Sequence, residues 1–216
     1  MFASREDAGQ KLGQRLKDEG VQADVVLGLP RGGVMVAAEV ARILEAPLDV
    51  VIVRKIGHPL QREFAVGALA EGGVVVMDER FVNKDLLMQA ELDHVIAEEQ
   101  ERLAVYQERF HRDGLPDVAG KSVLLVDDGL ATGATTEAAV RSVRKMGAER
   151  IIVAAPVGSI NAVERLSRVA DAVRVLDVDR NFDAVGRYYQ AFAQTTDEEV
   201  LEVLGARAGG VTGRIV

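Results

Sequence analysis

The chain has 216 residues, no cysteine and a net charge of −8. The cysteine count excludes disulfides, thiolate metal sites and thiol nucleophiles, and the acidic balance argues against nonspecific nucleic-acid binding, which needs many phosphates neutralised by Lys and Arg. The length suits one domain with a sizeable core, and with no signal-like apolar stretch in Met1–Asp7 and no run of membrane-spanning length, a cytoplasmic protein without membrane contact is expected.

Ser4 predicts a helix N-cap with Asp7 three residues on, and Ala8, Leu12 and Leu16 line one face of a helix running to about Gly20. This helix reads as scaffold. Asp24–Leu29 predicts the first strand, which ends in Pro30-Arg31-Gly32-Gly33 before a second helix through Val36, Val40 and Ile43. Two glycines after a strand let the backbone approach a ligand closely, and the guanidinium of Arg31 suits phosphate oxygens. Taken alone, such a turn is equally an ordinary strand-to-helix connection. The next strand, Leu48–Val53, ends in Arg54-Lys55, two adjacent cations that either gather an anion or are solvated separately.

The stretch 57–73 has mixed polarity, is bracketed by glycines and reads as a lid able to exclude water. Phe64, Val66, Ala68 and Ala70 alternate with other small residues, predicting a β-ribbon with Val74–Met77. His58 in this loop reads as a solvated histidine. From Asn83 to about Arg112 a charged helical stretch carries Leu92, Val95, Ile96, Leu103, Tyr106 and Phe110 near heptad spacing, with Glu99 interrupting the seam. It is expected to pack on the core or on a partner subunit. Gly114, Pro116 and Gly120 then break the chain.

The most informative stretch follows, Val123–Thr136, VLLVDDGLATGATT. Four aliphatic residues suit a buried parallel strand, and Asp127 and Asp128 stand at its C-terminal end, where open α/β sheets place their ligands. A loop of small and hydroxylated residues opens a helix through Ala139, Val140, Val143 and Met146, stopped by Gly147. Free N–H groups and the positive helix end there favour a phosphate. The carboxylates would repel that phosphate, and are better suited to sugar hydroxyls or a hydrated Mg²⁺. An Asp-Asp pair also opens bacterial response-regulator domains, but there it stands near the N-terminus, whereas this pair lies past mid-chain.

Val123–Thr135 resembles the motif by which type I phosphoribosyltransferases bind 5-phosphoribosyl 1-pyrophosphate (PRPP): four aliphatic residues, two acidic residues, then Thr-Gly-x-Thr. The resemblance implies that Asp127 and Asp128 hold the ribose hydroxyls and, indirectly, Mg²⁺, while Ala131, Thr132, Gly133, Ala134 and Thr135 hold the 5′-phosphate. It also implies that Arg31, Gly32 and Gly33 bind pyrophosphate, assisted by Arg54 and Lys55, and that Arg31 and Lys55 act with the two aspartates in catalysis. Gly129 departs from the pattern, which usually has an aliphatic residue there, so a looser loop entrance is expected.

Arg150–Pro156 predicts another strand, Asn161–Val169 a helix and Ala172–Val178 a last strand; the alternation implies a parallel sheet with helices on both faces. The segment 182–192 gathers Phe182, Tyr188, Tyr189 and Phe192, either as a base-stacking surface or as an aromatic face docked into the core. The resemblance assigns Phe182 and Val185 to the base. Thr195–Glu199 reads as a capped helix start, and the tail from Gly205 as loose.

The expectation is therefore an α/β protein of the type I phosphoribosyltransferase fold, similar to bacterial phosphoribosyltransferase-domain proteins, forming one domain over residues 1–216. Within it fall a lid at about 56–73, an inserted helical segment at 83–112, a hood at 179–204 and a loose tail at 205–216. The resemblance implies a Mg²⁺-dependent transferase acting on PRPP and a nucleobase, with no nucleic-acid partner, as a homo-oligomer, expected to be a dimer. The acceptor stays open: Ala131 matches adenine enzymes, whereas the Arg-Gly-Gly loop matches xanthine-type relatives. A PRPP- or nucleotide-sensing regulator and a ribosyl-phosphate hydrolase remain alternatives.

Overall fold

The computed structural model describes residues 1–78, 86–111 and 114–208. Its elements, in chain order, are α1 (Arg5–Asp18), β1 (Val25–Gly28), α2 (Gly32–Leu44), β2 (Leu48–Val50), β3 (Val53–His58), β4 (Gln61–Ala70), β5 (Val74–Met77) and α3 (Leu86–Phe110). They continue with β6 (Ser122–Val126), α4 (Ala134–Lys145), β7 (Arg150–Ser159), α5 (Ile160–Leu166), β8 (Ala172–Asp179) and α6 (Asp197–Ala208).

Five parallel strands form the main sheet in the order β2-β1-β6-β7-β8, and β3-β4-β5 form a separate antiparallel sheet. The central strands β1, β6 and β7 are buried on both faces, so alternate residues feed two cores. Val25, Leu27, Val123, Leu125, Ile151 and Val153 meet α4 and α5 through Ala139, Val140, Val143, Ala162 and Leu166. Val26, Leu124, Val126, Ile152 and Ala154 meet α1 and α2 through Leu12, Leu16, Val36, Ala37 and Val40. The chain runs from β1 through α2 to β2 on one side, and from β6 through α4 to β7 on the other. That reversal lies between β1 and β6, whose ends are paired Gly28 to Val126. Open α/β sheets bind ligands at such a point.

Several predicted boundaries move. Leu48–Val53 is two strands rather than one: β2 ends at Val50, and the chain leaves the sheet as Ile52 N–H donates to the carboxylate of buried Glu71 at 3.1 Å. Glu71 also bonds His111 Nε2 at 2.5 Å; burial opposes a charge on this imidazole, but the Glu71 bond and charge prevail and raise its pKa. Arg54 and Lys55 consequently open β3 instead of closing a strand of the main sheet. β7 continues past Pro156 to Ser159, its ladder with β8 passing from Ala155–Val175 to Val157–Asp177.

The lid stretch is the β3–β4 hairpin, with Leu60 at 81% exposure and Phe64 at 45% near its tip, and β4 pairs β5 as the alternation predicts. Helix α3 packs on this small sheet, Val95, Leu103 and Phe110 joining Ile56, Val66 and Leu69. Glu99, which interrupts its apolar seam, is buried and ion-paired to Arg54 at 2.9 Å and Arg102 at 2.5 Å. Residues 83–85 and 112 of the expected inserted segment, and 209–216 of the tail, lie outside the described residues. Gly205–Ala208 are helical, continuing α6, whose start is a reciprocal capping box between Thr196 and Glu199.

The N-cap of α1 is as predicted, Ser4 Oγ accepting from Asp7 N–H at 3.3 Å. Ser4→Ala is expected to cost about 1 kcal/mol, a melting-temperature loss of about 2–4 °C for a domain of this size, read in a thermal melt. No helix among the described residues is long and apolar enough to cross a membrane.

Candidate functional site

Because β1 and β6 end side by side, the two candidate loops meet. Leu29 N–H donates to the Val126 carbonyl at 3.0 Å, and both loops then turn into helices. Gly32 and Gly33 lie against the acidic pair. A Cβ on Gly32 would fall 2.0 Å from Asp128 Oδ2, and one on Gly33 3.0 Å from the Asp127 Cα. The glycines are thus required by close approach: the loop after β1 and the carboxylates after β6 form one surface.

Asp127 is held by neighbours. Its Oδ1 accepts from Asp128 N–H at 2.8 Å and its Oδ2 from Thr136 Oγ1 at 3.5 Å. Burial, followed by the Asp128 charge, pushes the Asp127 carboxyl up to about 8, against smaller opposing effects of the Asp128 N–H, Lys55 and Thr136. An aspartate near 3.8 when unfolded and near 8 when folded keeps its proton in the native state while the unfolded chain releases its own. Its contribution to stability is therefore complete below the unfolded value and is lost as pH rises through the folded one. Asp127→Asn is expected to gain melting temperature relative to the native protein progressively from pH 5 to pH 8; a constant difference across that range would contradict the protonated form.

Asp128 is fixed at both ends. Its Oδ2 accepts from Arg5 Nε at 2.8 Å, and its carbonyl accepts from the Tyr189 hydroxyl at 2.6 Å. Burial and then the Asp128 charge push the Tyr189 phenol up, so it remains a donor. Neither partner is legible in the motif. The one sequence signal at Arg5 is its place in the first turn of α1, where the positive helix end disfavours a cation unless something else holds it.

The 130–135 loop is tied to β7: Leu130 N–H donates to the Val157 carbonyl, Ser159 N–H to the Leu130 carbonyl, and Ser159 Oγ to the Ala131 carbonyl at 2.6 Å. Gly133, at φ +73°, caps α4 without a side-chain acceptor, and Ala134 N–H finds Thr132 Oγ1 only at 3.4 Å. Ala131 and Thr132 are exposed, and Ala134 and Thr135 partly so, at the start of α4. Helix N–H groups presented in this way suit an anion.

Other predicted residues separate. Arg54 and Lys55 are neighbours on β3, and successive strand side chains point to opposite faces. Arg54 turns to Glu99 at 2.9 Å and to the Tyr106 ring at 5.2 Å, whereas the Lys55 charge acts on Asp127. Arg31 caps α2, and its side chain lies 3.6 Å from Asp197 of α6, which also binds Arg109 at 2.9 Å.

The aromatic segment divides between its two readings. Tyr189 is buried against Phe2, while Phe182 stacks on Tyr188 at 5.2 Å and both stay partly exposed. Val185 fills the space beside Gly129, where a Cβ would fall 2.6 Å from its Cγ1 and 2.9 Å from Val157 Cγ2. The loop entrance is therefore closed, not loose as the missing side chain suggested.

A family model described as a phosphoribosyl transferase domain matches residues 3–190. The chain belongs to this family. The parallel sheet with helices on both faces is the type I phosphoribosyltransferase fold that the acidic motif implied. The domain is 45% identical over 206 residues to a Mycobacterium tuberculosis protein provisionally named a phosphoribosyl transferase, covering 94% of this chain and 46% of that protein. It therefore spans about half the length of that relative. A crystal structure of a Thermus thermophilus protein is similar with a TM-score of 0.79 and 45% identity, covering 95% of this chain and 98% of that one. Over 61 residues, 27% of this chain and 22% of the relative, identity to a Pyrococcus furiosus ribose-phosphate pyrophosphokinase is 48%.

Proposed function

We propose that this phosphoribosyl transferase domain binds PRPP and transfers its 5-phosphoribosyl group to a nitrogenous base. The observation that carries this is the contact of Gly32 and Gly33 with Asp127 and Asp128, which joins an anion-suited loop to a pair of hydroxyl acceptors. A third group, the 131–135 loop at the start of α4, completes the set of partners a ribose bearing phosphate at one end and pyrophosphate at the other requires.

In this reaction the bond from C1 of the ribose to pyrophosphate breaks, its electron pair leaving with the pyrophosphate, and a base nitrogen supplies the pair for the new C1–N bond. Asp127 and Asp128 accept the ribose hydroxyls and, when ionised, favour the positive charge developing on the sugar. Backbone N–H groups from Arg31 to Gly33, with Lys55, hold the departing pyrophosphate, and the 131–135 loop anchors the 5′-phosphate. Arg54 is held by Glu99 through its Nε, so this reading gives the pyrophosphate to the loop and Lys55. The base is assigned to the side lined by Phe182 and Val185.

Among the described residues no three metal-ligating side chains form a cage. Two carboxylates fit Mg²⁺ in its usual mode, completed by water and substrate phosphates. Asp127 and Asp128 would hold it through water or ribose hydroxyls, and it would neutralise pyrophosphate charge.

The test is ³¹P NMR of PRPP and Mg²⁺ with the purified protein, with and without a pool of nucleobases. Base-dependent release of pyrophosphate is expected, and splitting the pool identifies the acceptor. PRPP signals that broaden without conversion would indicate a sensor, and release without base a hydrolase. Unchanged spectra would refute PRPP binding itself.

A further inference from the structure

Arg5 joins three parts of the site. Its Nε donates to Asp128 Oδ2 at 2.8 Å, one of its terminal nitrogens donates to the Ala193 carbonyl at 2.7 Å, and its guanidinium lies 4.0 Å over the Phe192 ring. A Cβ on Gly32 would meet Arg5 Nε at 2.7 Å. Arg5 therefore touches Asp128, the loop after β1 and the segment after β8 together.

We propose that Arg5 is a positioning residue for Asp128, setting its carboxylate for the ribose and making that setting depend on docking of the 182–193 segment. This rests on the PRPP reading above. Three observations favour positioning over a latch that must open. First, the contact is enclosed, the Arg5 and Asp128 side chains being 11% and 15% exposed. Second, Arg5 engages Oδ2 and leaves Oδ1 for a ligand hydroxyl, while Tyr189 holds the same residue by its carbonyl. Third, Arg5 is itself anchored: Phe2 and Ala3 pair with the segment through Phe2 N–H to the Tyr188 carbonyl at 2.7 Å, Gln190 N–H to Phe2 at 2.8 Å and Ala191 N–H to Ala3 at 3.0 Å.

A carboxylate held through one oxygen keeps a direction that a free one loses among its rotamers. The guanidinium cannot lose its charge and imposes a direction through its fixed donors. Asp128 thereby presents Oδ1 to a hydroxyl donor in a fixed direction. Phe192 and Ala193 hold the guanidinium from the opposite side, so displacing the segment frees Arg5 and, through it, Asp128.

The experiment measures the Kd of PRPP with Mg²⁺, and separately of inorganic pyrophosphate with Mg²⁺, by titration calorimetry well below the melting temperature. The proteins are the native chain, Arg5→Gln, Arg5→Lys and Phe192→Leu. Pyrophosphate carries no ribose, so it makes no hydroxyl contact with Asp128 and would reach it only through water on Mg²⁺. Arg5→Gln is expected to weaken PRPP about tenfold or more with pyrophosphate changed less than about twofold, as follows from losing one charge-assisted bond at the ribose. Arg5→Lys, which keeps the charge, is expected to recover part of the loss. Phe192→Leu, which leaves Arg5 in place, is expected to weaken PRPP less than Arg5→Gln, in the same direction.

Equal weakening of both ligands would make Arg5 a general cation or a prop and overturn positioning. Unchanged PRPP affinity in Arg5→Gln would overturn it also, and tighter PRPP binding would identify a latch in its place. A native protein that binds pyrophosphate but not PRPP would remove the reading on which the proposal rests, a result distinct from any variant effect. Should Arg5→Gln fail to fold, Arg5→Lys and Phe192→Leu carry the comparison.

Discussion

Asp128→Asn is expected to lower kcat/KM with PRPP about a hundredfold or more, on the scale of losing one preorganised group that meets charge in the transition state. The amide keeps the shape but can no longer supply the negative charge that favours a cation-like sugar. It also removes the counter-charge of Arg5, which is nearly enclosed. Leaving one partner of such a pair alone costs stability, here about 1–3 kcal/mol for a lost bond to a charged group. The variant should therefore melt several degrees lower and yet remain folded at assay temperature, so the loss in turnover exceeds what unfolding can explain. Activity and melting temperature measured on the same preparation decide it. Native turnover in Asp128→Asn would remove the carboxylate from the mechanism, and a loss of activity that tracked loss of folded protein would make its role structural.

What could be read from the sequence was what is contiguous in it. The strand–loop–helix from Val123 to Lys145 carries its own signals: an apolar run, two acids, a loop with glycine at a left-handed position and a periodic helix. The two glycine-bearing turns could be placed in one site because parallel α/β sheets gather such turns at one edge. Contacts that cross the chain left little trace. Arg5 and Asp128 are 123 residues apart, and the one trace in α1, a cation in its first turn, does not say which distant group holds it. Arg54 and Lys55 looked like one feature because they are adjacent, yet adjacency on a strand is what sends them to opposite faces. Leu48–Val53 has no Gly, Pro or charge cluster at the point where the chain leaves the main sheet, so the break at Val51-Ile52 had no local cue. Gly129 shows the opposite error. A missing side chain suggested empty space, but Val185, 56 residues further on, fills it.

Gly32→Ala is expected to lower kcat/KM with PRPP about a hundredfold with a smaller loss of stability than Gly33→Ala, which does the reverse in emphasis. Gly32 opens α2 and has no positive φ, so alanine suits its backbone and is favoured in a helix by up to about 1 kcal/mol. Its Cβ, however, would lie 2.0 Å from Asp128 Oδ2 and 2.8 Å from Asp128 Cγ. A carboxylate is the movable end of a short side chain, so the overlap is relieved by turning Asp128 away from the loop and from Arg5. Parting Asp128 from Arg5 costs stability as it does in Asp128→Asn, offset in part by the helix preference of alanine; the fold survives and the ribose partner is lost. At Gly33 the obstacles are backbone, the Val126 carbonyl oxygen at 2.9 Å and the Asp127 Cα at 3.0 Å, and these cannot turn aside without parting β6 from the start of α2. Gly33→Ala should therefore cost about 1–3 kcal/mol, as overpacking does, seen as a clear drop in melting temperature. Comparing the two variants separates catalysis from folding at adjacent positions. If Gly32→Ala keeps native turnover, the two loops do not form one binding surface; if both variants lose stability alike, the Asp128 carboxylate is too firmly held to yield and the contact belongs to the fold.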